Sequence, residues 1–296
     1  MNDPQWPQAS DWLISGGSPA GTRLGIIGVP LSRTSISASG ASATPAAVRT
    51  ALRRFATFHA GLDVDLEVLS VSDEGDLHVA ELNGDVALGA VDSGLSRLAR
   101  YDLVVLLGGD NAVTRPAMRT LLPLATSGLL TLDAHHDVRG FHAGPTNGTP
   151  VRGLIEDGLN GARVVQVGIG DLTNSRAYRS WCDTHGIRVV SAAAATDTGA
   201  VVRAALDELA ATCTDLYVDL DVDVVDRTFV PGCPGARPGG LLPAQLLAAA
   251  VEAGRHPAVR AVDIVEVDAT ADPTGVTVDL AAMCLLSVAA GLAARS

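Results

Sequence analysis

The chain has 296 residues, 47% of them hydrophobic, which is enough to bury one large core, and nothing in that length requires two domains. A formal net charge of −12 disfavours nucleic acid and anionic membrane as partners, because both need a basic patch to neutralise phosphates. All 21 basic side chains are arginines, which also excludes a Walker phosphate loop, a Schiff-base lysine and pyridoxal-phosphate chemistry. A small-molecule substrate is what remains.

Residues 1–20 are expected to be a flexible or peripheral segment, and positions 1–21 lack both the basic and the apolar part of an export signal. Strand-like apolar runs follow at 24–29, 66–71, 103–107, 129–132, 163–167, 187–191, 216–220 and 259–265. Helical patterns lie between most of them, at 45–58, 86–99, 114–124, 175–185, 200–212, 243–254 and 278–293. Thr44-Pro45 and Leu242-Pro243 place a proline at a helix start. The most apolar stretch, 281–294, is too short to span a bilayer and reads as a buried closing helix. Cys182, Cys213, Cys233 and Cys284 form no Cys-x-x-Cys pair, so they read as small buried hydrophobes, and a cytoplasmic location is expected.

Strand alternating with helix means a parallel sheet, and strands apolar nearly throughout mean a sheet covered on both faces. The predicted fold is a three-layer α/β/α domain over 1–296 with an eight-stranded, mainly parallel sheet. A barrel of eight strand and helix pairs is the rival that spacing leaves open.

Two of the predicted strands end in carboxylates. In Asp133-Ala-His-His-Asp137, extended backbone would project Asp133, His135 and Asp137 from one face and turn His136 away. In Asp215-Leu-Tyr-Val-Asp-Leu-Asp-Val-Asp223, the same alternation groups Asp219, Asp221 and Asp223. Either cluster alone fits a solvated strand end, where Asp caps local backbone. Together, with no basic residue inside either, they call for a cation, and an oxygen-rich set with one imidazole suits Mn²⁺. Ligands of open parallel sheets gather at the carboxyl ends of strands, where Gly108-Gly109-Asp110-Asn111 and Glu266-Val-Asp268 also fall.

These motifs, in this order and with Gly40 to Arg49 before them, resemble the arginase/agmatinase/formimidoylglutamase family, the ureohydrolases. The resemblance implies a binuclear Mn²⁺ site, with Asp133 and Asp221 bridging, His135 and Asp223 completing one metal and Asp137 the other. Asn111 stands where the family usually has a histidine ligand and would offer only a carbonyl oxygen. Glu266 matches the acidic residue facing the substrate's amidinium or guanidinium. Asn147 replaces the histidine proton shuttle of arginases, with His142 nearby as a substitute. Catalytic roles are thus expected for Asp137, Glu266 and His142.

An anionic amidine would want arginine forks near the metals, and Arg139, Arg152 and Arg115 are the candidates, with Asn147 and Glu266 also set against the substrate. Asp219 is read as supporting the ligands, His136 as supporting them or belonging to the core, Asp110 as capping or orienting a loop, and Asp226 as structural. Arg139 after the Asp-Ala-His-x-Asp motif, with Gly148-Thr149-Pro150 later, resembles members that act on N-formimidoyl-L-glutamate. The leading expectation is a formimidoylglutamase releasing formamide and glutamate. A urea-releasing guanidino hydrolase, a metal-poor pseudoenzyme and a single-zinc deacetylase of related fold are the alternatives. Family resemblance also implies a homo-oligomer, a trimer or hexamer.

Overall fold

The structure is a computed structural model that describes residues 3 and 5–295. Its strands are β1 (Arg23–Val29), β2 (Phe58–His59), β3 (Val64–Asp65), β4 (Ser70–Asp76), β5 (Leu103–Gly108), β6 (Ser127–Leu132), β7 (Val164–Ile169), β8 (Arg188–Ser191), β9 (Asp215–Asp221) and β10 (Val259–Val265). Its helices are α1 (Ala9–Ser15), α2 (Thr44–Ala51), α3 (Gly84–Leu95), α4 (Thr114–Leu121), α5 (Pro150–Glu156), α6 (Arg176–Thr184), α7 (Thr198–Ala210), α8 (Pro243–Arg255) and α9 (Val276–Ala293). β2 and β3 form a small antiparallel ribbon, and the other eight strands form one sheet in the order β4-β1-β5-β10-β9-β6-β7-β8. Every pairing in that sheet is parallel. Two open edges, β4 and β8, exclude the barrel.

The order places the site. The chain skips from β5 past two positions to β6, and the last two strands, β9 and β10, later fill the gap. Four strands distant in sequence thus become neighbours, and their carboxyl ends share one edge.

Alternation along each strand separates two cores. Leu103, Val105 and Leu107, with Leu216, Val218 and Leu220, pack under α2, α7, α8 and α9. Val104, Leu106 and Tyr217 face α3, α4, α5 and α6 on the other side. Buried on both faces, the central strands have the continuous apolar character that their composition predicts.

Three expectations shift. The strand expected at 66–71 begins at Ser70, because Asp65 accepts the Glu67 N–H and caps a 3₁₀ turn over Leu66–Val68. The helix expected to run to 58 ends in a 3₁₀ turn at Arg54, after which Phe58 enters the ribbon. Of the segment 1–20, positions 1, 2 and 4 lie outside the described residues, while α1 buries Ala9, Trp12 and Leu13 in the core.

Helix α9 is longer than the apolar stretch read from sequence. Its 18 residues, with a mean hydropathy of 2.0, could cross a membrane by length and composition, yet 72% of them are buried within the fold. Two glycines let α8 and α9 touch backbone to backbone. A Cβ on Gly254 would lie 2.0 Å from the Val288 carbonyl oxygen, and one on Gly291 would lie 2.1 Å from that of Val251. Gly291→Leu should therefore force the helices apart and lower unfolding stability by about 3 kcal/mol, the upper range for overpacking. An unchanged urea midpoint would contradict this packing.

Candidate metal centre

β6 stops at Leu132, and residues 133–137 leave the extended conformation. The expected single extended face is therefore not how the ligands converge. Asp133 folds back so that its Oδ1 accepts the His135 N–H at 2.5 Å, and Asp137 adopts a left-handed φ of 52°. β9 ends at Asp221, whose Oδ1 accepts the Asp223 N–H at 2.8 Å and starts a 3₁₀ turn. Glu266, directly after β10, is also left-handed, with a φ of 64°. Non-glycine residues held there are strained, and strain of this kind concentrates at functional sites.

The result is a compact triad. Ligand atoms of Asp133, His135 and Asp223 all lie within 4.8 Å of one another, with His135 Nδ1 at 2.8 Å from Asp223 Oδ2. Asp221, Asp137 and Glu266 stand outside the triad but line the same cavity of about 130 Å³, room for a small molecule only. Larger clefts lie elsewhere, among them one beside α1 and one between the ribbon and α8, but none gathers this cluster.

Asp133, Asp221, Asp223 and Glu266 are all buried. Burial, then the Asp223 charge, pushes the Asp133 carboxyl up to about 7. Burial, then Asp223, Asp133 and Glu266, raises Asp221 well above the usual carboxylate range. Burial, then Asp110, pushes Glu266 up to about 8. Burial by itself would lower His135, but Asp223 and Asp133 outweigh it and push the imidazole up to about 12. Burial is the larger cause of the carboxyl shifts, and crowding of acids around one imidazole adds to it. A divalent cation fits this donor set, since carboxylate oxygens and one imidazole are the ligands such ions take.

One layer down, strand register aligns Gln166, Thr131, Asp219 and Asp263 in a row across β7, β6, β9 and β10. Asp263 Oδ2 accepts Thr114 Oγ1–H at 2.7 Å and Tyr217 O–H at 2.9 Å. Burial, then the Asp263 charge, raises Asp219 well above its usual range, and neither Asp219 carboxylate oxygen has a hydrogen-bond partner among the described residues.

Other expected residues divide. Asn111 Nδ2 donates to Asp137 Oδ2 at 2.8 Å and its Oδ1 lies 2.6 Å from Thr114 Oγ1, so its only ligand atom is turned to a neighbour. Glu266 Oε1 accepts the Asn111 N–H at 2.8 Å and Asn147 Nδ2–H at 3.0 Å, while Asn147 Oδ1 accepts the Ile36 N–H. Asn147 thus positions Glu266. Arg139 lines the cavity, its stem flat on Gly148, where a Cβ would lie 2.6 Å from Arg139 Cδ.

The structure does not bring Arg152, Arg115 or His142 to the cavity. Arg152 donates to the Val138 carbonyl and stacks 4.6 Å from the Trp181 ring, Arg115 is forked onto Asp157, and His142 sits on an exposed loop. His136 is buried against Gln166, Asp110 holds Thr34 and the Ala112 N–H, and Asp226 accepts backbone N–H groups of Gly239 and Thr228. Several cavity residues carry no sequence signal of their own, Arg237 among them. Arg237 lies in a loop of irregular backbone, where neither periodicity nor a motif marks it.

A parallel sheet whose four central strands converge on buried acids and one imidazole defines a divalent-metal centre. The sequence model of the Arginase family matches residues 22–291, and the chain belongs to that family. It is 36% identical to the formimidoylglutamase of Halalkalibacterium halodurans, over 92% of this chain and 88% of that protein. It is 31% identical to the proclavaminate amidinohydrolase of Streptomyces clavuligerus, over 89% of this chain and 86% of that protein. In structure it is similar to Bacillus subtilis formimidoylglutamase, with a TM-score of 0.89 and 29% identity, covering 100% of this chain and 94% of that one. Trypanosoma cruzi formiminoglutamase, crystallised with Mn²⁺₂, gives a TM-score of 0.85 at 25% identity, covering 98% and 100%.

Two outcomes follow from the crowded acids. After chelation, Asp221→Asn should be more stable than wild type by on the order of 1–3 kcal/mol, because one repelling charge is gone and its Oδ1 still caps the turn. Its melting temperature should then rise less than wild type's on adding Mn²⁺, and a full Mn²⁺ response would contradict the role given to Asp221. Asn111→His should retain more Mn²⁺ through dialysis, read by elemental analysis, whereas equal retention would remove Asn111 from the metal's reach.

Proposed function

We propose that this chain is a manganese-dependent formimidoylglutamase, hydrolysing N-formimidoyl-L-glutamate to L-glutamate and formamide. The observation that carries the reading is the cavity itself, which sets Arg139, free of any ion pair among the described residues, beside an acidic cluster that attracts an amidinium. Similarity to formimidoylglutamases over nine-tenths of the chain supports it. A cytoplasmic homo-oligomer, a trimer or hexamer, is part of the same proposal.

Asp133, His135, Asp221 and Asp223, with Asp137, are the residues that would hold a Mn²⁺ pair. When bound, such a pair lowers the pKa of a shared water enough to supply hydroxide at neutral pH. Glu266, fixed by Asn111 and Asn147, accepts N–H groups of the amidinium and turns its carbon toward the ligands. Arg139 takes a substrate carboxylate in a charge-assisted fork. Water adds to the formimidoyl carbon, the bond from that carbon to the glutamate nitrogen breaks, and the nitrogen leaves as an amine after gaining a proton. With His142 away from the cavity, Asp137 is the group we assign to carry that proton from water to leaving nitrogen.

Purified protein given Mn²⁺ should release formamide and glutamate from N-formimidoyl-L-glutamate, and Asp133→Ala should lower kcat by at least about 10³-fold, the scale of losing a metal-organising group. Urea from agmatine or guanidinobutyrate, with no formamide from the amidine, would replace this reading with guanidino hydrolysis.

A further inference from the structure

The cavity holds a second arginine. Arg237 Nη1 donates to the carbonyl oxygens of Pro234 at 3.0 Å, Gly235 at 2.9 Å and Ala236 at 2.9 Å, and to no carboxylate. One edge of the guanidinium is thereby anchored to its own loop. Nε and Nη2 have no protein partner among the described residues, which leaves a donor pair in the geometry that suits a carboxylate.

The loop that carries Arg237 is seated on the metal face. A Cβ on Gly235 would lie 2.3 Å from Asp223 Oδ2, so the backbone there packs directly against that ligand. Arg227 ties the loop from behind, with Nη1 donating to the Cys233 carbonyl at 2.8 Å, and its N–H donates to the Arg237 carbonyl at 3.2 Å. Arg237 is therefore held by the same short segment that borders the reacting centre.

The electrostatics of a diacid supply the rest of the argument. A substrate with one amidinium and two carboxylates must bring both anions toward a cluster of acids, and each anion is repelled unless a cation meets it. Arg139 meets one. Among the described residues, the only other guanidinium lining the cavity is Arg237. We infer that Arg237 is a specificity-determining residue that binds the second carboxylate of the substrate, so that Arg139 and Arg237 together select diacids over monoacids. This inference rests on the proposed amidine hydrolysis.

The test compares wild type with Arg237→Ala, both loaded with Mn²⁺, on N-formimidoyl-L-glutamate, N-formimidoyl-4-aminobutyrate, N-formimidoyl-L-glutamine and formamidine. The ratio of kcat/KM for the diacid to that for formamidine should fall about 10- to 100-fold in the variant, the span of a hydrogen bond to a charged group. The fall should reside in KM, and the variant should stop distinguishing the diacid from one of the two monoacids while still distinguishing it from the other. Ratios cancel any loss of folded protein. An unchanged ratio, or equal losses on all four compounds, would overturn the proposal. A second readout needs no turnover: L-glutamate should raise the melting temperature of wild type more than that of Arg237→Ala, and equal protection would also overturn it. Absence of turnover of every amidine by wild type defeats the functional reading instead, and the glutamate comparison still decides the role of Arg237.

Discussion

Repulsion among buried carboxylates is the constraint on which this molecule is organised. Asp221, Asp223 and Glu266 line one cavity at the ends of β9 and β10, Asp133 at the end of β6 clusters with Asp223, and burial strengthens every like-charge contact between them. A fold that pursued stability alone would not assemble such a cluster. The sheet assembles it nonetheless, because the late insertion of β9 and β10 between β5 and β6 brings four acidic strand ends side by side. The chain has therefore given up stability in exchange for a place where divalent cations are favoured.

Much of the surrounding structure limits that cost without abolishing it. Asp263 accepts from Thr114 and Tyr217, so one oxygen of the supporting layer is answered by two hydroxyls. Asp137 and Glu266 are held in left-handed backbone by the strands and turns around them, the side-chain amide of Asn111 binds Asp137, and its backbone N–H meets Glu266. Packing of α9 against α8, with backbones in contact at Gly254 and Gly291, closes the opposite core and stiffens the frame from which the ligands project. Rigidity in the first layer of ligands depends on this second layer.

Residue by residue, legibility in sequence follows the physics. Asp133, His135 and Asp223 could be read because acids without basic neighbours at strand ends are rare enough to point to a cation. The route by which they converge could not, since the left-handed turn at Asp137 is imposed by tertiary contacts and carries no local signature. The apolar run 66–71 misplaced β4 because the true strand, Ser-Val-Ser-Asp-Glu-Gly-Asp, lies at an edge and is polar. α1 was hidden by its brevity, although Trp12 is deeply buried. Arg152 looked like a substrate fork in sequence and proved to be stacked on Trp181, while Arg237, in an irregular loop, became visible only through the cavity it lines.

The central claim is that the converging acids hold two divalent ions close together. Electron paramagnetic resonance of the protein titrated with Mn²⁺ tests it most directly, because ions roughly 3.5–4 Å apart in a two-metal site couple their spins. The account predicts an exchange-coupled spectrum that grows to saturation with a second equivalent of metal. A spectrum at saturation that shows only the hyperfine pattern of isolated ions would contradict it.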